Sequence, residues 1–182
     1  WTFRGGRAGE LARIPIREDL LVLVVERPQN PGNLGTLIRS ADAMGAHGVL
    51  VMEPAVDVYD PKTVRATMGS VFALPVLRIE AYSLLHDWIG RVRIALGSRE
   101  PARVQIVATR PHASTPIDQL DFTSPTILII GNEQSGISEL RLKIIGMDNP
   151  HCLSTVDEAL NLVKGVISKE LSINQNAAIK FD

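Results

Sequence analysis

Short apolar runs recur along the first 130 residues, each closed by polar or turn-forming residues. LLVLVVE at 20–26 is rich in Val and Leu, and a short continuous run of this kind predicts a strand buried on both faces. RPQNPGN at 27–33 then brings Asn, Pro and Gly together as turn and helix-start chemistry. From there Leu34, Leu37, Ile38, Ala41 and Met44 follow helical spacing, and Gly45 stands where a helix would be capped. GVLVM at 48–52 reads as a second buried strand. Strand, tight loop, helix and strand make a βαβ unit.

The alternation continues. Residues 61–70 predict a short helix with Pro61 at its start. A strand lies within 71–79, and Pro75 places it at an edge or makes it begin after the proline. Residues 81–93 predict a helix, 104–108 and 126–130 two more strands, and the chain after Gly131 a helix to about Leu142. A last amphipathic helix is expected over 157–171, with Leu160, Val163, Ile167 and Leu171 on one stripe. Fully apolar strands between helices imply an α/β fold: a mainly parallel sheet with helices on both faces. The expected organisation is one domain over 20–182, preceded by residues 1–19 as an N-terminal arm or the remnant of a linker.

Composition narrows the class. No run of 18 apolar residues occurs in the 182, so no membrane span is expected. The opening WTFRGGRAGELAR lacks the apolar core of a secretory signal. Cys152 is the single cysteine, which rules out an internal disulfide or a Cys-rich metal site and points to a reducing cytoplasm. His47, His86, His112 and His151 show no metal-ligand spacing, so no metal is expected. The net charge of −1 does not advertise a nucleic-acid partner. Residues 1–17 nevertheless hold Arg4, Arg7, Arg13 and Arg17 against Glu10, a stretch suited either to phosphates or to a solvated terminus. Trp1 and Trp88 are too few for a stacking platform. Arginine dominates lysine up to residue 140 and the preference reverses after it, ending in the Asn-rich INQNAAIKFD.

In an open parallel sheet ligands bind beyond the carboxyl ends of the strands, and two segments fall there. In NPGNLGTLIRSADAMG (30–45), Gly32 and Gly35 bracket the helix start and are expected to leave backbone N–H groups open to an anion. Arg39 points away from the apolar stripe; the alternative is a solvated arginine on an ordinary capped helix. In GNEQSGIS (131–138), Gly131 permits a sharp turn and close approach of a ligand, and Glu133 sits where a helix dipole favours a carboxylate. Plain N-terminal capping is the alternative there. Neither segment carries the Gly-Lys-Ser/Thr of a P-loop or a G-x-G-x-x-G fingerprint, which weakens ATP and NAD readings.

Together these strings resemble the SpoU branch of the SPOUT methyltransferases. PGNLGTLIRSADAMGAHGVLV is similar to that family's first motif nearly throughout, VRATMGSVFALPV (64–76) to the segment that follows it, and ILIIGNEQSGIS (127–138) to its second motif. The resemblance runs from about residue 20 to 140. The third motif departs from the pattern: no Ile-Pro-Met occurs, and spacing favours Ala159-Leu160-Asn161 over Ser172-Ile173-Asn174.

The resemblance implies a C-terminal deep trefoil knot, a homodimer, S-adenosylmethionine as cofactor and an RNA substrate, transfer or ribosomal. It implies methylation of a ribose 2′-hydroxyl. Carried over, Gly131, Asn132, Leu160 and the backbone near His151 contact the cofactor. Asn33, Arg39 and Glu133 match the catalytic positions, supported by Asn161. Arg39 then handles the proton or anchors a phosphate, Asn33 orients it or the ribose, and Glu133 holds the loop. Two other readings stand beside this one: a catalytically inactive RNA-binding scaffold on the same fold, and a small-molecule enzyme with a nucleotide-type pocket.

Overall fold

The run expected to be a buried strand becomes the middle of a sheet. In the computed structural model, which describes residues 10–97, 104–109, 116–132, 140–143, 166–172 and 176–181, Leu21–Glu26 (β1) lies between Gly48–Met52 (β2) and Thr126–Ile130 (β5). Val76–Ile79 (β3) and Gln105–Thr109 (β4) complete a sheet of order β3-β2-β1-β5-β4. Every pairing in it is parallel. The registers Val22↔Gly48 and Leu21↔Thr126 fix the strand ends level with one another. As expected from Pro75, the third strand starts just after the proline, where a missing N–H costs no ladder bond.

Alternation along the strands divides the core. Leu23, Val25, Val49, Val51 and Val76 cluster with Leu34, Ile38 and Ala41 of the helix Pro31–Ala43 (α1). Val22, Val24, Leu50, Leu77 and Ile79 point the other way and are equally buried. Covering both faces removes roughly 25 cal/mol of unfavourable hydration per Å² of apolar surface. Tyr82–Leu96 (α3) buries Leu85, Trp88, Ile89 and Val92. It belongs to the crossover that carries the chain from β3 to the far edge of the sheet. Residues 10–14 also join this packing, because Leu11 and Ile14 are buried and Ile14 lies against Gly48.

α1 ends as its sequence suggests. Gly45 adopts φ 73°, its N–H bonds the Asp42 carbonyl, and Ala46 N–H bonds that of Ala41 at 2.9 Å, the paired bonds of a Schellman cap. The helix Pro61–Thr67 (α2) begins at its proline, with the Asp60 carboxylate accepting from Lys62 N–H at 2.7 Å. A Cβ built on Gly35 would stand 2.5 Å from Ala66 Cβ and 2.6 Å from the Thr63 carbonyl oxygen. Gly35 is therefore what lets α1 and α2 touch. Replacing it with valine is expected to cost about 1–3 kcal/mol by overpacking, read as a lower urea midpoint with an unchanged slope. A midpoint equal to the parent's would mean that the seam has slack.

Residues 136–182 form a second unit. Its described part is an antiparallel sheet of Leu140–Lys143 (β6), Val166–Ser172 (β7) and Asn176–Phe181 (β8), in the order β6-β8-β7. Two expectations are corrected here. The helix expected to run to Leu142 has strand at its described end, and the helix expected over 157–171 is strand from Val166 onward. Both segments pair with β8, and a partner elsewhere in the chain leaves no mark on the periodicity of a single segment. Residues 133–139 and 144–165 lie outside the described residues, and with them Glu133, His151, Leu160 and Asn161.

Candidate active site

β1 sends its connection towards β2, whereas its other neighbour β5 is reached only after the chain has crossed to the opposite edge. The carboxyl ends of β1 and β5 thus flank the point where strand order reverses, the usual ligand position in such a sheet. Arg27, the first residue past β1, holds this point together. Its backbone is left-handed at φ 44°, uncommon for a residue with a Cβ. Its N–H bonds the Met52 carbonyl at 3.1 Å, tying it to β2. Its own carbonyl accepts from two side-chain amides, Asn132 Nδ2 at 2.8 Å and Gln29 Nε2 at 3.2 Å. Gln29 Nε2 also donates to the Pro54 carbonyl at 3.2 Å. The turns after β1, β2 and β5 are thereby fastened to one another.

Under this knot of hydrogen bonds lies a buried carboxylate. Glu26 is 1% exposed and pairs with Arg27 Nη2 at 3.2 Å. Beside it, Glu53 pairs with Arg78 of β3 and accepts from Ala55 N–H at 2.9 Å. That hydrogen bond from Arg78 to Glu53 raises the guanidinium above its ordinary range, against the opposing effect of burial.

The start of α1 differs from the expected anion cradle. Asn30 Oδ1 accepts from Gly32 N–H at 2.8 Å and Asn33 N–H at 3.2 Å, and the Asn30 carbonyl accepts from Leu34 N–H at 3.0 Å. Pro31 has no N–H to offer. An asparagine at the N-cap has taken the donors that helix starts otherwise present, so this end is closed to an anion. Gly35, expected to serve a ligand, serves the seam with α2 instead.

Asn33 is exposed on the first turn of α1, at the carboxyl end of the sheet. Arg39 is exposed on the side away from Leu34, Ile38 and Ala41, as its spacing suggested. It stands about 9 Å further along the helix axis than Asn33. Gly131 and Asn132 follow β5 directly, are half-buried, and Asn132 is held as described. Of the site residues expected, the geometry gathers Asn33, Gly131 and Asn132 at one end of the sheet. Glu26, Arg27 and Gln29 escaped the sequence reading; the available signal was a glutamate closing an otherwise apolar strand and followed at once by an arginine.

Half-buried backbone at a side-chain-free Gly131 beside this pinned turn suits a nucleoside-type cofactor that bonds to main-chain groups. Among the described residues no three His, Cys, Asp or Glu side chains gather as a metal site, and no helix is long and apolar enough to cross a membrane.

Comparison with known proteins supplies the remaining findings. The model of the SpoU rRNA Methylase family matches residues 20–148. The chain is 47% identical over 131 residues to a 23S rRNA (uridine(2479)-2'-O)-methyltransferase of Streptomyces viridochromogenes, covering 72% of this chain and 44% of that protein. It is 30% identical over 122 residues to the 23S rRNA (guanosine(2553)-2'-O)-methyltransferase RlmP of Bacillus subtilis strain 168, covering 67% and 45%. The solved structure of the SpoU methyltransferase AviRb from S. viridochromogenes, in complex with the cofactor AdoMet, superposes with a TM-score of 0.63 at 47% identity, over 70% of this chain and 46% of that one. The chain spans less than half the length of these curated relatives.

Proposed function

The chain belongs to the SpoU rRNA methylase family, and from that premise we propose that it transfers a methyl group from S-adenosylmethionine to a ribose 2′-hydroxyl of ribosomal or transfer RNA. The observation that carries this reading is the bond from Asn132 to the Arg27 carbonyl. It fastens the turn that begins at Gly131 to the turn that leads into α1 and Asn33. Backbone groups at Gly131 and Asn132, with Leu160 and the chain near His151, hold the cofactor, which when bound supplies a methyl on a positively charged sulfur.

The protein's own part is alignment and removal of the hydroxyl proton. Holding two reactants in line is worth roughly 7–11 kcal/mol in favourable cases. Asn33, with Asn161, orients the ribose, and Glu133 holds the loop after β5. Arg39 anchors the RNA phosphate next to the reacting hydroxyl. A guanidinium is too basic to take a proton at neutral pH, so the phosphate held by Arg39 would take the hydroxyl proton, and the bound cofactor would supply the methyl to the ribose oxygen.

The working assembly we propose is a homodimer in the cytoplasm. Arg39 lies about 12 Å along α1 from its first residue, and a second copy lets it reach a pocket from across the contact. If so, mixing an Arg39→Ala chain with a Gly131→Trp chain restores activity that neither has alone. The knot belongs to the same proposal and is formed by the chain after Gly131 within the domain 20–182. In the stretch 1–19, Arg4 and Arg7 are offered to RNA phosphates, while Leu11 and Ile14 pack on the sheet and Arg17 pairs with Asp19.

A second reading, an inactive RNA-binding scaffold, is favoured by the family match ending at residue 148, before Ala159. Mass spectrometry of RNA nucleosides, with and without the protein, tests the first reading: a new 2′-O-methylated nucleoside is expected. Its absence, together with no heat of S-adenosylmethionine binding in calorimetry, would leave the scaffold.

A further inference from the structure

The segment 64–76 leads from α2 into β3 and presents an unusual surface. α2 turns Thr63 and Thr67 inward, where the missing side chain of Gly35 lets them and Ala66 approach α1. Lys62 and Arg65, one turn apart, remain on the solvent side. The chain then leaves α2 through two consecutive left-handed residues, Met68 at φ 53° and Gly69 at φ 100°. The first is disfavoured for any residue with a Cβ. In the 3₁₀ turn that follows, Ser70 and Val71 are buried, whereas Phe72 is 74% exposed, as is Met68.

This corner turns an aromatic ring outward in a chain with only two Trp, two Tyr and four Phe. Among the residues whose burial is described, Phe72 is the most exposed large aromatic side chain. From Pro61 to Ala73 the sequence carries two cations and no carboxylate, although the whole chain has a net charge of −1. Neither Lys62 nor Arg65 joins an ion pair among the described residues.

We propose that this face holds single-stranded RNA beside the target nucleotide. Bases stack on Phe72 with Met68 at its side, and Lys62 and Arg65 take phosphates. The charge argues for this occupant: a polyanion neutralises both cations, and base stacking on an aromatic side chain tolerates any sequence. A second copy of the chain, meeting through this same patch, would set the cations against their own copies. Arg39 leaves α1 one turn after Gly35, the residue at the seam with α2. The inference deepens the reading of the chain as an RNA methyltransferase, yet its test needs no methyl transfer.

The test is fluorescence anisotropy of a fluorescein-labelled single-stranded RNA of mixed sequence with the full 182-residue chain. Phe72→Ala is expected to weaken binding about 5- to 150-fold, and Phe72→Trp to restore it. Lys62→Ala and Arg65→Ala are each expected to flatten the dependence of log K on log salt by about 0.7. All three positions of change are on the surface, and circular dichroism verifies that each variant folds. Unchanged RNA affinity in Phe72→Ala overturns the proposal. So does sedimentation showing that Phe72→Ala splits a dimer while each protomer binds RNA as before, since a second copy then owns the face. Calorimetry with S-adenosylmethionine separates the two readings. Lost cofactor binding with RNA affinity still dependent on Phe72 refutes the pocket alone; intact methyl transfer in Phe72→Ala at unchanged RNA affinity refutes this surface alone.

Discussion

Replacing Arg39 with alanine is expected to slow methyl transfer by about 10²-fold, the usual effect of misplacing a reactant by about 1 Å. Affinity for S-adenosylmethionine should be unaltered. The separation follows from the geometry. Arg39 is exposed, and the buried stripe of α1 is made by Leu34, Ile38 and Ala41, so its loss removes no core contact. Arg39→Lys should recover only part of the rate, because an ammonium cannot offer the planar fork that grips a phosphate through two bonds. Single-turnover transfer of labelled methyl, with calorimetry for the cofactor, measures both halves. A wild-type rate in Arg39→Ala removes this residue from the chemistry.

A second large effect is expected at Glu26, on stability. Its carboxylate is 1% exposed and its partner, the Arg27 side chain, is 33% exposed. Truncation to alanine leaves a cavity at the end of the central strand and a guanidinium without its counter-charge. The surviving guanidinium is one-third exposed, so the cost expected is that of a lost hydrogen-bonding partner plus a small cavity, about 1–3 kcal/mol. Glu26→Gln keeps the shape and should cost less. Urea unfolding reads both, and an alanine variant with the parent's midpoint would show that the carboxylate contributes nothing. Because Arg27 also carries the carbonyl that holds Asn132, Glu26→Ala should loosen the turn at Gly131 and raise the cofactor concentration needed for half-saturation.

The central strands of the parallel sheet were legible because β1 and β2 are continuous apolar runs, buried on both faces and closed by turn residues. α1 was legible for a different reason: Leu34, Ile38 and Ala41 repeat at its period, and Gly45 stops it. What lay opposite these residues was not. Gly35 and Gly32 look alike in the sequence, yet one admits a neighbouring helix and the other donates to Asn30. Glu26 looked like the polar end of a strand until its neighbours enclosed it. Val166–Ser172 carries apolar residues at helical spacing, and only its pairing with Asn176–Phe181 makes it a strand. In the candidate site, spacing gave the six-residue step from Asn33 to Arg39, but the bond between Asn132 and Arg27 joins residues 105 apart, beyond the reach of any local pattern.

That separation also governs how the protein must be made. β1 meets β2 soon after both leave the ribosome, but its other side waits for β5. At translation rates of about 5–20 residues per second, the delay is roughly 5–20 s. Throughout it the most apolar strand of a nascent chain offers an unpaired edge, the kind of surface that recruits strands from other chains. Faster emergence shortens that exposure, and refolding from denaturant should be slow for the same topological reason.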